Sequence, residues 1–221
     1  MSTNAAVKTY SPLEETINIR SHAAGLLLSV FGLFLLMART IPLGNPGHTA
    51  SAAVFGLSLI VLYGASTLYH SATQPEKRAR LRVVDHAAIY VLIAGTYTPF
   101  TLITLRGETG WLLFAAAWAT AVAGVILKLF FTGRYNGIST LMYVLMGWMM
   151  AFAIGPLIDG LPTAGLIWLF AGGLSYTLGA ILYSFKTITL GHAIFHICVL
   201  IGSISHFVAV FFYVLPAGSQ S

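Results

Sequence analysis

The sequence predicts an all-α membrane protein, a seven-transmembrane-helix bundle with its N-terminus inside the cell and its C-terminus outside. Hydrophobic residues make up 57% of the 221 residues, and charged residues only 8%. Soluble domains carry about 25% charged residues, so this chain has too few to cover a surface that faces water. The charged residues instead separate seven uncharged runs, and each run is long enough for a spanning helix of roughly 20 residues.

The uncharged runs define the predicted helices, and prolines and glycines mark their ends. Pro99 lies inside the third run and predicts a kink, while Pro156 is expected to end the fifth helix. A basic loop from Gln74 to Arg82 is expected between the second and third helices. The alternating ten-residue segments of an outer-membrane barrel are absent from the sequence. The seven helices are predicted at about 22–39, 49–71, 83–105, 110–131, 137–156, 162–184 and 190–214.

The basic residues set the predicted orientation. With the N-terminus inside, nine lysines and arginines fall on the inner side of the membrane and two, Arg39 and Arg106, on the outer side. An excess of this kind is typical of the cytoplasmic side. The net charge of +5 follows from that asymmetry. We expect no nucleic-acid partner, because the basic residues lie in short loops.

Three regions are predicted along the chain: a disordered cytoplasmic tail over 1–12, a transmembrane domain over 13–214 and an external tail over 215–221. Ser11, Pro12, Glu14 and Glu15 are the residue types of a helix start, with an N-cap, a proline in the first turn and acids near the positive end of the helix. We expect 13–20 to form a short helix on the membrane surface before the first span. The single cysteine, Cys198, excludes an intramolecular disulfide.

Four residues of metal-binding type lie at the ends of apolar segments. His70 ends the second segment, Asp85 opens the third, and His192 and His196 lie one helical turn apart at the start of the last. Because successive segments alternate in direction, we expect all four at the same membrane face. A polar group inside lipid is costly and normally has a partner or a function, and imidazoles with a carboxylate are ligands of Zn²⁺. For the two histidines of the last segment alone, the alternative is an interfacial pair that contacts lipid headgroups.

Ser66 precedes His70 by one helical turn and shares its helix face. Its hydroxyl is expected either to bond a metal-bound water or a substrate carbonyl, or to bond the backbone carbonyl four residues before it. His86 follows Asp85 and points about 100° away from it on a helix. We therefore expect His86 either to lie at the membrane interface or to contact the ligand residues rather than the metal. His206 would lie roughly 15 Å deeper than His196, and we expect it to make a separate buried polar contact.

Together and in this order, Ser66-xxx-His70, Asp85 and His192-xxx-His196 resemble the signature of the hemolysin III family. That family is grouped with the progestin and adipoQ receptors and, more distantly, with the alkaline ceramidases. The resemblance covers about residues 13–214. Within it, Glu15 and Asn18 near the N-terminus are expected to have a structural role. Further segments that are similar to the bacterial branch are Glu14 to Asn18 with His22, Gly95 to Pro99, Gly173 to Tyr183 and Gly191 to His206.

The resemblance implies a seven-helix bundle in the inner membrane of a bacterium, with zinc held by His70, His192 and His196. Asp85 would contact the zinc-bound water or ligate the ion directly, and Ser66 would line the site. Three histidines leave a zinc position for water, as in catalytic zinc sites, and zinc lowers the pKa of that water to about 7.

The sequence therefore favours a zinc-dependent hydrolase that acts at the cytoplasmic side of the bilayer on a membrane lipid or fatty-acyl substrate. An amide is the bond that the ceramidase resemblance implies. Asp85 would transfer protons and Ser66 would orient the carbonyl. The alternative is a non-enzymatic sensor or regulator of membrane state with a structural zinc. A cytolytic pore is less favoured, because no segment has a sustained polar stripe to line a channel.

Overall fold

A computed structural model describes residues 10–131, 136–185 and 187–215, and over these ranges it contains seven helical segments long and apolar enough to cross a membrane. Large apolar side chains, among them Leu27, Phe34, Phe130 and Phe152, are exposed on the outside of the bundle. An exposed apolar surface of this kind is suited to lipid rather than to water. The predicted all-α, seven-helix membrane protein is confirmed.

Eight α-helices and their irregular extensions form the seven spans. A π-helical stretch, Phe100–Leu105, extends α3, and a second one, Val210–Val214, extends α8. The fifth span consists of α5, a 3-10 turn over Met149–Ala153, and α6, so α7 and α8 are the sixth and seventh spans. The helices are α1 (Pro12–Thr40), α2 (Pro46–Ser71), α3 (Pro75–Pro99), α4 (Gly107–Phe131), α5 (Asn136–Gly147), α6 (Ile154–Gly160), α7 (Thr163–Ser184) and α8 (Gly191–Ala209).

The first helix starts earlier than the first span was predicted to start. Residues Pro12–Thr40 form one uninterrupted helix, so the short helix predicted over 13–20 is not separate from the span. Ser11 is the N-cap, and its Oγ accepts a hydrogen bond from the Glu14 backbone N–H at 3.2 Å. Of the tail predicted over 1–12, residues 1–9 lie outside the described residues.

Two other predicted boundaries lie near or within undescribed residues. The external tail predicted over 215–221 is described only at Leu215, which is buried and accepts hydrogen bonds from the Arg39 side chain at 3.2 and 3.3 Å. Of the turn predicted from Thr132 to Asn136, residues 132–135 lie outside the described residues, and Asn136 is already the first residue of α5.

Prolines explain three further differences from the predicted boundaries. Helix α3 begins at Pro75, so most of the predicted basic loop from Gln74 to Arg82 is helical, as a proline in the first turn permits. Pro99 ends α3 where the π-helical stretch begins, an irregularity that its missing N–H explains. Pro156 lies in the first turn of α6, where proline is tolerated, so the predicted end at Pro156 is wrong and the span continues to Gly160.

The spans pack as a closed ring. Helices α1 to α4 pack in chain order, α7 packs on α8, α8 returns to α1, and α5 contacts both α3 and α7. The second, third and seventh spans have 56%, 67% and 50% of their most apolar stretch buried, compared with 22–28% for the other four. These three spans carry His70, Asp85 and the pair His192 and His196, so the most buried part of the ring also contains the predicted site.

We expect Gly110→Ala to destabilise the protein, because a Cβ at this position in α4 would overlap the carbonyl oxygen of Thr101. That oxygen belongs to the backbone and cannot rotate away, and overpacking typically costs about 1–3 kcal/mol. The measurement is the thermal-unfolding midpoint in detergent. Gly64→Ala is the matched control, since its Cβ would lie 3.8 Å from Leu26 Cδ1, an ordinary contact. Equal midpoints for the two variants would contradict the close approach of α4 to the π-helical stretch.

Candidate metal centre

Three histidine rings converge at the end of the bundle where α1 and α8 begin and α2 ends. One ring nitrogen from each of His70, His192 and His196 lies within 4.8 Å of the other two. His192 Nε2 is 3.2 Å from His70 Nε2 and 3.1 Å from His196 Nε2. All three residues are buried, with at most 7% of their surface exposed. This buried three-histidine cluster could hold a metal ion.

Two of the separations between these nitrogens match edges of a tetrahedral coordination shell. Zn²⁺ binds imidazole nitrogens at about 2.0–2.1 Å, and a tetrahedron with those bond lengths places its ligands roughly 3.3–3.4 Å apart. The two Nε2 separations are within about 0.3 Å of that value. Several divalent transition metals accept imidazole ligands, so the geometry fits a metal of this class.

The start of α1 orients the His70 ring. Glu15 Oε2 lies 2.8 Å from His70 Nδ1, and the other oxygen of the same carboxylate pairs with Arg78 at the start of α3. Asn18 Nδ2 donates to Glu15 Oε2 at 3.2 Å. A carboxylate at Nδ1 favours the tautomer with the proton on Nδ1 and the lone pair on Nε2. Glu15 therefore directs the metal-binding nitrogen of His70 toward the other two histidines.

Two residues close to the start of α1, Tyr10 and Glu14, contact His192. Glu14 Oε1 accepts the backbone N–H of His192 at 3.0 Å, which satisfies a donor in the first turn of α8 and places negative charge near the positive end of that helix. The Tyr10 ring stacks on the His192 ring with centroids 4.5 Å apart. Burial raises the pKa of the Tyr10 phenol, so this ring packs in its neutral form.

Asp85 and Ser66 lie beside the cluster. Both line a cavity of about 150 Å³ that also borders His192 and His196. The three-histidine cluster does not include Asp85, whose carboxylate lies 3.3 Å from His86 Nδ1. Ser66 Oγ is buried and makes no hydrogen bond to any residue that the structure describes. It is therefore not bonded to the carbonyl four residues earlier, and it remains available to a molecule in the cavity.

Three other histidines make contacts that were predicted in part. His206 Nε2 donates to the Leu169 carbonyl at 3.1 Å, which is the separate buried contact expected for it. His86 Nδ1 donates to the Arg82 carbonyl at 2.8 Å, away from the cluster. His22 was expected only to open the first span, yet its ring stacks on His196 with centroids 3.6 Å apart and lines the cavity.

Sequence reasoning missed the partners that the N-terminal segment supplies. Glu14 and Glu15 were interpreted as acids at a helix start, the structural role expected for Glu15 named no partner, and Arg78 was placed in a basic loop. The available signal was the spacing of Glu15, Asn18 and His22, which places three polar residues on one face of a helix whose remaining length is largely apolar. A polar face of this kind in a spanning helix indicates a buried polar partner.

The chain is similar to known proteins over most of its length. A family model described as Haemolysin-III related matches residues 10–207. The chain is 44% identical over 206 residues to Hemolysin-3 of Bacillus cereus, covering 93% of this chain and 94% of that protein. It is 43% identical to a Hemolysin-3 homolog of Bacillus subtilis (strain 168), over 90% of this chain and 94% of that protein. It is also 26% identical to the human Monocyte to macrophage differentiation factor, over 90% and 84% of the two chains.

With added zinc as the probe of the three-histidine cluster, we expect Glu15→Gln to weaken metal affinity by about 10–100-fold, the usual effect of losing the partner that orients a metal-binding histidine. The loss follows because a neutral amide oxygen accepts the Nδ1 proton more weakly than a carboxylate does, and so favours the lone pair on His70 Nε2 less. The measurement is competition with a chromophoric zinc chelator in detergent. Glu76→Gln is the matched control, since Glu76 is an exposed acid in the first turn of α3. Equal affinities for the two variants would contradict the orienting role of Glu15.

Proposed function

Because the chain belongs to the haemolysin-III related family, we propose that it is a zinc-binding protein of the bacterial inner membrane that hydrolyses a lipid amide. The observation that supports this proposal most strongly is the buried convergence of one nitrogen each from His70, His192 and His196. Three histidine ligands with a coordination position left over are typical of catalytic zinc rather than of closed structural sites.

The proposed orientation has the N-terminus in the cytoplasm. Nine of the eleven lysines and arginines then lie on the cytoplasmic side, in accordance with the positive-inside rule. The three-histidine cluster, which lies where α1 begins, would be near the cytoplasmic surface. A lipid would reach it from the inner leaflet rather than from the outside of the cell.

The residues around the cluster can supply the proton transfers and the carbonyl contact that amide hydrolysis needs. A zinc ion at the three histidines would supply Lewis-acid chemistry, polarising a carbonyl and making a water molecule more acidic. The Asp85 carboxylate would accept the proton of the attacking water and return it to the leaving amine. The Ser66 hydroxyl would donate a hydrogen bond to the substrate carbonyl oxygen as negative charge develops there.

The cavity suits a lipid rather than a water-soluble substrate. Besides Ser66, Asp85 and the histidines, its lining includes the apolar residues Leu92, Ile93 and Val199. An acyl chain would lie against these side chains, with its amide near the cluster. The apolar lining also argues against a water-filled channel, so we do not propose a pore.

A non-enzymatic sensor or regulator is the second candidate, and one observation favours it. The cluster joins α2 to α8, and Glu15 adds α1 and α3 through His70 and Arg78. A metal at this position would therefore fix four helices relative to one another, which is what a structural zinc does. In this second function the cavity would bind a membrane lipid without cleaving it.

The metal itself is tested by measuring zinc per chain with plasma mass spectrometry on detergent-purified protein. We expect about one zinc per wild-type chain and most of it lost from His192→Ala/His196→Ala, since two of the three ligands are removed. His48→Ala is the control, because His48 lies at the opposite end of α2 from His70. Metal-free wild type from a chelator-free preparation would contradict the zinc site.

The reaction is tested with Asp85→Asn. We expect this variant to retain zinc and to lose amide hydrolysis by about 100-fold or more, the lower end of typical general acid–base contributions. The assay is fatty-acid release from a long-chain ceramide in mixed micelles. Asp159→Asn serves as control, since Asp159 is exposed in α6, away from the cavity. If the wild type does not turn over this amide, or Asp85→Asn turns it over equally well, the hydrolase is wrong and the sensor is favoured.

A further inference from the structure

His22 lines the cavity, yet the proposed reaction gives it no role. It is 3% exposed, its ring lies flat on the His196 ring at 3.6 Å, and it meets the Tyr63 ring edge-on at 5.0 Å. The same ring lines the cavity with Ser66 and Asp85. Its nitrogens are not among those of the three-histidine cluster, so metal binding does not explain this histidine.

The packing of His22 does not explain why this residue is a histidine either. Neither ring nitrogen makes a hydrogen bond within 3.5 Å to any residue in the described part of the chain, and the interaction of the ring with the His196 backbone is weaker than such a bond. A buried polar group without such a partner is unfavourable. A phenylalanine would fill the space between His196 and Tyr63 without that cost, because stacked and edge-on contacts need only an aromatic ring. A binding role accounts for the imidazole at this position.

Ser66 shares this property with His22 and faces the same cavity. Its Oγ is also buried and makes no hydrogen bond within the described residues. A neutral imidazole has one donor and one acceptor, and a hydroxyl both donates and accepts. Together they match a lipid headgroup that carries both kinds of group, such as an amide with its N–H and its carbonyl oxygen.

We propose that His22 is a substrate-binding residue that hydrogen-bonds to the amide head of the lipid in the cavity. This inference rests on the proposed function, because it takes the lipid amide from it, and it adds the residue that distinguishes an amide head from a plain acyl chain. His22 selects the headgroup through its ring edge, while its ring face supports His196.

The test compares two probes on variants that share an Asp85→Asn background, so that no probe is consumed. One probe is a fluorescent N-dodecanoyl ethanolamine, and the other is dodecane with the same fluorophore and no amide. Fluorescence anisotropy in detergent gives both dissociation constants, and zinc per chain reports whether the site has folded. The variants are His22→Phe, which keeps the ring contacts, and His22→Gln, which restores one donor and one acceptor.

We expect His22→Phe to bind the amide probe about five- to tenfold more weakly, as for loss of one neutral hydrogen bond, with binding of the dodecane probe and zinc content unchanged. His22→Gln should recover part of the amide affinity. Equal amide affinity in His22→Phe and the background protein, or equal weakening of both probes, would overturn the proposal, because the ring would then only pack. If His22→Phe does not fold, His22→Leu is judged by the same criteria.

Failure of this inference is distinguishable from failure of the proposed hydrolase. Binding is measured without turnover, so a wild type that cleaves no ceramide contradicts the reaction and leaves the amide preference of His22 intact. Conversely, a wild type that hydrolyses the amide while His22→Phe binds it normally contradicts only the role of His22.

Discussion

The nitrogen-to-nitrogen contact of three buried imidazoles is the constraint on which the rest of this structure depends. At 3.1 and 3.2 Å, their nitrogens are close enough that each ring must be held at its other edge or face. Glu15 holds the edge of His70, and Arg78 balances the charge of Glu15. This requirement explains why α1 has 29 residues, although a span needs roughly 20. The additional turns carry the residues that hold the cluster.

The number of spans and the three histidines could be predicted because the signals are local. Gaps between charged residues report the spans, and the four-residue spacing of His192 and His196 places both on one helix face. The ends of the helices were less predictable where a proline lies near them. Pro75 and Pro156 both lie in the first turn of a helix, where proline is favoured or tolerated. The sequence alone does not distinguish a proline in that position from a proline that ends a helix.

The surroundings of the cluster could not be predicted, because they depend on contacts between distant parts of the chain. Glu15 and His70 are 55 residues apart, and the stack of His22 on His196 requires α1 to pack on α8. The prediction left open whether Asp85 is a ligand, and only the packed structure shows it in the cavity wall rather than within the three-histidine cluster. Amphipathic spacing identifies a helix face but not the partner that the face meets.

The distance along the chain between His70 and His192 sets an order for assembly. They are 122 residues apart, and at about 5–20 residues per second the ribosome needs roughly 6–24 s to pass from one to the other. During that interval α1 and α2 can already pair, with Glu15 beside His70, but the other two histidines of the cluster do not yet exist. Completion of the three-histidine cluster must therefore follow synthesis of the last helix. A prematurely terminated chain would insert most of its helices and still have no three-histidine centre.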